Sequence, residues 1–211
     1  MMANPLLLLH HTFFSTAASK MSVAVLSASL LLIVLIPMAS CSHAQDSTKD
    51  SVEIGQRAPD FELPVVDENR FLNLRDEYRQ GPVVVIVLRG YPGYQCPLCK
   101  SQFNAVVNRA KALEAETGRV VLVYPGKTEQ LAKQAERFLG SRRLPDPITL
   151  VRDDNLQMVN DWGLRWNKLG QTAYPATFVI DKNGRIAWKK VSTSYAGRST
   201  VEEILRELRK L

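Results

Sequence analysis

Residues 83–100 read VVVIVLRGYPGYQCPLCK, and this stretch decides the fold. Val83 to Leu88 is an unbroken β-branched and aliphatic run without a polar face, as a central strand covered on both sides requires. Gly90 to Gln95 interrupts it with Gly-Tyr-Pro-Gly-Tyr, a loop composition. Pro97 fits the first position of a helix, where its missing N–H costs nothing. Cys96 therefore falls near the N-cap of that helix and Cys99 in its first turn. Unpaired N–H groups at a helix start stabilise an anion, so a thiolate is expected there at lower pH than in free cysteine. Cysteines three apart on such a turn can also form a disulfide with each other.

Working outward, Phe103, Val106, Val107, Ala110 and Leu113 recur at spacings of three and four, which predicts a helix that Gly118 ends. Val120 to Tyr124 reads as a second buried strand, Thr128 to Leu139 as a helix, Ile148 to Val151 as a third strand and Asn155 to Trp162 as a short helix. Thr177 to Ile180 is a strand. Asp181-Lys182-Asn183-Gly184 is a hairpin turn in which Asn-Gly supplies positive φ, and Arg185 to Val191 returns antiparallel. The last helix is expected to begin at Ser199, with Glu202 completing a capping box and Val201, Ile204, Leu205 and Leu208 on its apolar face. Upstream, Phe61 to Leu63 and Phe71 to Leu74 flank Val66-Asp67-Glu68-Asn69 as a short hairpin. The order β-α-β-α-β-α-β-β-α implies an α/β fold: a mixed central sheet with helices on both faces and an N-terminal β-hairpin extension.

Composition removes several functions. The 211 residues are 45% apolar and 23% charged, which excludes collagen-like, low-complexity and globally disordered chains. All three histidines, His10, His11 and His43, lie in the first 43 residues. The folded part therefore has no Ser-His-Asp or Cys-His nucleophile and no histidine-ligated metal. Its two cysteines cannot close a zinc site alone, so neither a metal nor another cofactor is expected. The net charge of +6 is spread over pairs such as Arg142-Arg143 and Lys189-Lys190. Without interleaved aromatics it reads as a solvated basic face, not a nucleic-acid surface.

Residues 23–38, VAVLSASLLLIVLIPM, would span roughly 24 Å as a helix, short for a membrane crossing and suited to a signal-peptide core. Met38-Ala39-Ser40-Cys41 resembles a bacterial lipobox, while Ser42-His43-Ala44 fits ordinary signal peptidase; Met21 is a second candidate start. The expected organisation is a signal peptide of lipoprotein type over 1–40, lipid on Cys41 as a membrane attachment, a polar tether over 41–53 and one domain over 54–211. That domain would face the periplasm.

Three further stretches carry a resemblance. Gly55-Gln56-Arg57-Ala58-Pro59-Asp60-Phe61, Pro92 to Cys99, and Gly197-Arg198-Ser199 together resemble the AhpC/TSA (peroxiredoxin) family, from about Ile54 to Leu211. The resemblance implies a thioredoxin-like fold. It puts Pro92 and Cys99 at the proline and the peroxidatic cysteine of the P-x-x-x-T/S-x-x-C pattern, and Arg198 near the thiolate. Cys96 stands at the Thr/Ser position and converts the motif to the C-x-x-C of thioredoxins. Tyr174-Pro175-Ala176-Thr177 resembles the cis-proline element that faces the C-x-x-C in thioredoxin-like disulfide reductases.

The implied function is antioxidant peroxide reduction. Cys99 would become a sulfenic acid and Cys96 would condense with it, with a thioredoxin-like or small external thiol as reductant. The alternative is a dithiol–disulfide oxidoreductase in which Cys96, the more exposed thiol, attacks a protein disulfide and Cys99 resolves. A copper- or haem-handling role is disfavoured because no histidine or methionine accompanies the cysteines. A disulfide that only braces the loop of a binding lipoprotein is the bland reading.

Overall fold

A computed structural model describes residues 51–211, so the expected signal peptide over 1–40, its apolar run 23–38 and the expected lipid site Cys41 lie outside the described residues. Along the chain come β1 (Glu62–Pro64), β2 (Phe71–Asn73), α1 (Leu74–Tyr78), β3 (Val83–Val87), α2 (Pro97–Val107), α3 (Ala110–Glu114) and β4 (Arg119–Pro125). Then follow α4 (Leu131–Leu139), β5 (Ile148–Asp153), α5 (Gln157–Asp161), β6 (Ala176–Ile180), β7 (Ile186–Val191) and α6 (Val201–Leu208). The main sheet has the order β5-β4-β3-β6-β7. β3 is its centre, parallel to β4 and antiparallel to β6, and all five of its residues are buried. A central strand has no solvent face, which is why its sequence does not alternate. β1 and β2 form the separate antiparallel hairpin.

The two pleat faces of β3 feed two cores. Val84 and Ile86 pack with Phe103, Phe138, Ile204 and Leu205 from α2, α4 and α6. Val83, Val85 and Val87 pack with Leu63 and Leu72 of the hairpin and with Tyr78, Val159, Trp162 and Phe178. This is the thioredoxin-like layering, with one face covered by longer helices and the other by the hairpin and short helices. Both cysteines of the described region belong to the first face.

Local details depart from the sequence expectation for identifiable reasons. The predicted continuous helix breaks between α2 and α3, because Arg109 donates its N–H to Val106, three residues back, and leaves the α ladder. In the β6–β7 turn only Gly184 has positive φ, at 78°. Asn183 is held instead by the Asp181 carboxylate, which accepts from the N–H groups of Asn183 and Arg185, both at 2.8 Å. Ser51 to Glu53, assigned to the tether, lie against the sheet: Lys189 Nζ donates to Ser51 Oγ (3.2 Å) and to the Val52 carbonyl (3.0 Å).

The capping box of α6 sits one residue later than expected. Thr200, not Ser199, is the N-cap, and it exchanges hydrogen bonds with Glu203. Ser199 is occupied elsewhere, its hydroxyl 2.7 Å from that of Thr177 on β6. Thr200→Ala is therefore expected to cost about 1 kcal/mol of unfolding free energy, whereas Ser199→Ala leaves the cap intact; urea unfolding of the two variants checks the difference.

Candidate active site

The site is built where β3 runs out. Leu88 still donates to the Val123 carbonyl (3.0 Å) and Tyr91 to that of Pro125 (2.8 Å), so the chain stays on β4 as it leaves the strand. Gly90 lies between these contacts with φ +75°; a Cβ there would come within 2.8 Å of the Pro125 carbonyl carbon. Only glycine allows that approach. Pro92 is half-buried in the following loop. Gln95 anchors the end of the loop, donating to the Gln134 carbonyl (2.9 Å) and accepting from the Tyr124 hydroxyl (2.7 Å). Cys96 then caps α2 and Pro97 opens it, so the predicted placement of both cysteines at a helix start is what forms.

Both thiols are free and buried, Cys96 at 3% exposure and Cys99 at 0%. Their electrostatics are opposite. Cys96 is lowered to about 5, first because the Cys99 thiol hydrogen-bonds to its sulfur; the Cys99 backbone N–H, the charge of Arg198 and the Arg89 guanidinium add to this, and burial opposes it. Cys99 is pushed far up, first by that same hydrogen bond to Cys96 and then by burial. Both shifts run the same way, favouring the thiolate on Cys96 and the protonated form of Cys99.

Arg198 is brought to the pair from the loop before α6. Its Nη2 lies 3.6 Å from the Cys99 sulfur, Nη1 donates to Gln102 Oε1 (2.8 Å) and Nε to the Tyr195 carbonyl (3.3 Å). Its charge pulls Cys99 down, but less than burial and the hydrogen bond push it up.

Pro175 is placed differently from the expected cis-proline element. The cis bond among the described residues precedes Pro147, and the Tyr174–Pro175 bond is trans. Pro175 runs straight into β6, and its carbonyl accepts from Ser192 (2.8 Å), extending the β6–β7 ladder. Ala176 pairs with Val87, so Pro175 still lies at the end of the sheet where β3 leads into the cysteine loop.

Sequence reasoning missed Arg89. It follows the apolar strand directly and is only 2% exposed. Its Nη1 donates to the Tyr94 hydroxyl (2.6 Å), Nε to Gln171 Oε1 (2.8 Å) and Nη2 to the Gly170 carbonyl (2.9 Å). The rings of Tyr94 and Tyr195 flank it at 5.1 and 4.7 Å. The available signal was its position: an arginine abutting a fully buried strand cannot reach solvent freely. Gln102 was likewise missed, as a polar position on the buried face of α2. No group of three or more His, Cys, Asp or Glu among the described residues could hold a metal ion. The arrangement is suited to two-electron thiol chemistry.

Comparison with known proteins points the same way. The chain is 29% identical over 181 residues to thiol-disulfide oxidoreductase ResA of Geobacillus thermodenitrificans, covering 85% of this chain and 90% of that protein. It is 30% identical over 148 residues to peroxiredoxin bcp of Coxiella burnetii, covering 67% and 91%. Among solved structures, peroxidoxin BcpB from Mycobacterium tuberculosis superposes with a TM-score of 0.60 at 22% identity, over 76% of this chain and 98% of that one. A DsbE-type thiol:disulfide interchange protein from Chlorobium tepidum gives 0.55 at 22% identity, over 75% and 99%. These relatives are oxidoreductases of two kinds, peroxiredoxins and thiol–disulfide exchangers, on one thioredoxin-like fold. The AhpC/TSA family profile matches residues 54–189, and the chain belongs to that family.

Proposed function

We propose that the protein is a dithiol–disulfide oxidoreductase working outside the cytoplasm, with Cys96 as the exchanging thiol and Cys99 as its resolving partner. The observation that carries this reading is the placement of the pair, Cys96 as the N-cap residue of α2 and Cys99 fully buried one turn on; the lowering of Cys96 and raising of Cys99 agree with it, since the thiolate is the attacking species in exchange. The Cys96 thiolate attacks one sulfur of a partner disulfide, and the other partner sulfur leaves as a thiolate. Cys99 then gives up its proton and attacks Cys96, closing the Cys96–Cys99 disulfide and releasing the second partner thiolate. Arg198 assists the second step by favouring the Cys99 thiolate as it forms. Pro92 shapes the loop, and Pro175 supplies backbone at the same end of the sheet.

Peroxide reduction is the second reading, favoured by the Arg198–Cys99 contact at 3.6 Å. There Cys99 would attack the peroxide and Cys96 would resolve its sulfenic acid. Single-cysteine variants separate the two. Cys99→Ser should attack an aromatic disulfide probe and retain half of it as a mixed disulfide, while Cys96→Ser should not react. If instead Cys96→Ser forms a sulfenic acid rapidly with hydrogen peroxide and Cys99→Ser does not, the peroxidase reading replaces this one.

Export completes the proposal: signal peptide 1–40, lipid on Cys41, a tether from 41 that ends where Ser51 meets the sheet, and the redox domain beyond it. Mass spectrometry of the mature protein in a bacterial host should find a lipidated start at Cys41 or a start at Gln45; an intact N-terminus in the cytosol would overturn it.

A further inference from the structure

Arg198 meets the Cys99 sulfur at 3.6 Å, yet it takes part in no salt bridge among the described residues. Two neutral acceptors hold it instead. Gln102 Oε1 accepts from Nη1 (2.8 Å), and the Tyr195 carbonyl accepts from Nε (3.3 Å). A long side chain held this way is only as well placed as its acceptors, since its free rotors otherwise spread it over many conformers. Gln102 stands on α2. Tyr195 stands in the connection between β7 and α6 and is 45% exposed, so whatever fixes Tyr195 also fixes Arg198.

Gln171 does this. Its backbone is tied within its own loop: the N–H donates to the Lys168 carbonyl (3.0 Å), and the carbonyl accepts from Arg165 Nη1 (3.0 Å). Both ends of its side-chain amide are then used. Oε1 accepts from Arg89 Nε (2.8 Å), and Nε2 donates to the Tyr195 hydroxyl (2.6 Å). Arg89 is a rigid anchor: it is buried, follows β3 directly, and also donates to the Gly170 carbonyl (2.9 Å) and the Tyr94 hydroxyl (2.6 Å). A guanidinium only donates, so it fixes which end of the amide faces it and leaves Nε2 for Tyr195. The Tyr195 ring rests over the Arg89 guanidinium at 4.7 Å and against Trp166 at 5.3 Å. A continuous path therefore runs from Arg89 through Gln171, Tyr195 and Arg198 to Cys99.

We propose that Gln171 is a positioning residue for the closing step of exchange: it holds Tyr195, and through the Tyr195 carbonyl keeps Arg198 on the Cys99 sulfur. This rests on the exchange reading above and assigns a residue to its second step. In that step Cys99 loses its proton to solvent and its sulfur attacks that of Cys96. The bond from Cys96 to the partner sulfur breaks, and the partner leaves as a thiolate with the electron pair. Over both steps the partner disulfide gains two electrons and the Cys96–Cys99 pair loses them. Gln171 touches none of the reacting atoms; it sets how often the guanidinium is in place as charge forms on Cys99.

The test is stopped-flow reaction of the reduced mature protein with a symmetrical aromatic disulfide, whose two halves leave as absorbing thiolates, one in each step. Gln171→Leu is expected to slow the second release about fivefold, the scale of one net hydrogen bond, and to leave the first within about twofold of wild type. Tyr195→Phe breaks the same link from the other side. It removes one hydroxyl and keeps the Arg89–Gln171 bond, so it should match Gln171→Leu. Gln171→Glu still accepts from Arg89 and can accept from the Tyr195 hydroxyl, and it should restore the second release. In an Arg198→Met background Gln171→Leu should add nothing, because a link acting through Arg198 has nothing left to position. Equal slowing of both releases, a wild-type second release in Tyr195→Phe, or full additivity with Arg198→Met overturns the proposal. Should Gln171→Leu fail to fold, Tyr195→Phe alone and combined with Arg198→Met decides. A wild type that releases neither thiolate sinks the exchange reading and this one together, whereas two normal releases with unshifted Gln171 and Tyr195 variants sink only the positioning role.

Discussion

Cys96→Ser will reduce thiol exchange to the uncatalysed background, and the wild-type attack rate will be nearly constant from a pH unit above 5 upward. The hydroxyl of serine does not ionise in this range and is a poor nucleophile towards disulfide sulfur, so nothing replaces the lost thiolate. The pH profile follows from Cys96 being lowered to about 5. Above that value the attacking species is already fully formed; below it the rate should fall about tenfold per pH unit as the thiolate is protonated. An ordinary cysteine would instead give a rate still rising through pH 8. Stopped-flow attack on a disulfide probe between pH 4 and 9 distinguishes the two, and a profile rising through pH 8 would contradict the lowering of Cys96.

The same pair makes the stability of the reduced form depend on pH with a sign that can be stated. Between about 5 and the ordinary cysteine range, the unfolded chain holds protons on both thiols and the folded chain on one. Stability therefore rises with pH there, by at most about 1.4 kcal/mol per unit. Above the ordinary range the unfolded chain has lost both protons while Cys99 keeps its own, and stability falls again. The reduced protein should show a maximum near the ordinary thiol range, and the disulfide form, having no thiol to titrate, should lack this contribution. Denaturant unfolding of both forms across pH measures it.

The layers of the fold were legible because burial writes itself into composition. Val83–Val87 is buried on both faces and shows no alternation, and α6 presents Val201, Ile204, Leu205 and Leu208 inward at helical spacing. The helix-start cysteines were legible from Pro97. What the sequence hid depends on contacts between distant segments. Arg89 is defined by Gln171 and Gly170, more than 80 positions away. The lowering of Cys96 and the raising of Cys99 follow from their interaction and from burial, and neither is written in a C-x-x-C. Tyr174-Pro175 matched a motif by residue type, but the bond before Pro175 is trans, and residue type alone does not fix the isomer.

Gly90→Ala should be the most damaging single-methyl change near the site. Gly90 has φ +75°, and an added Cβ would lie within 2.7 Å of the Pro125 ring and 2.8 Å of its carbonyl carbon. Those atoms belong to the end of β4, a fully buried strand neighbour that cannot retreat as a flexible side chain would. Left-handed backbone strain and overpacking against backbone together should cost roughly 3 kcal/mol or more, a fall in melting temperature of roughly 6–12 °C for a domain of this size. The damage should extend to the chemistry, because the displaced loop carries Cys96. Gly118→Ala is the control: its nearest neighbours would stand at 3.4–3.6 Å, ordinary contact, without positive φ, so its effect should stay within about 1 kcal/mol. Thermal melts of the two reduced variants, read alongside their exchange rates, decide the matter; a Gly90→Ala protein as stable and as reactive as the wild type would mean that the turn out of β3 is not held against β4 in solution.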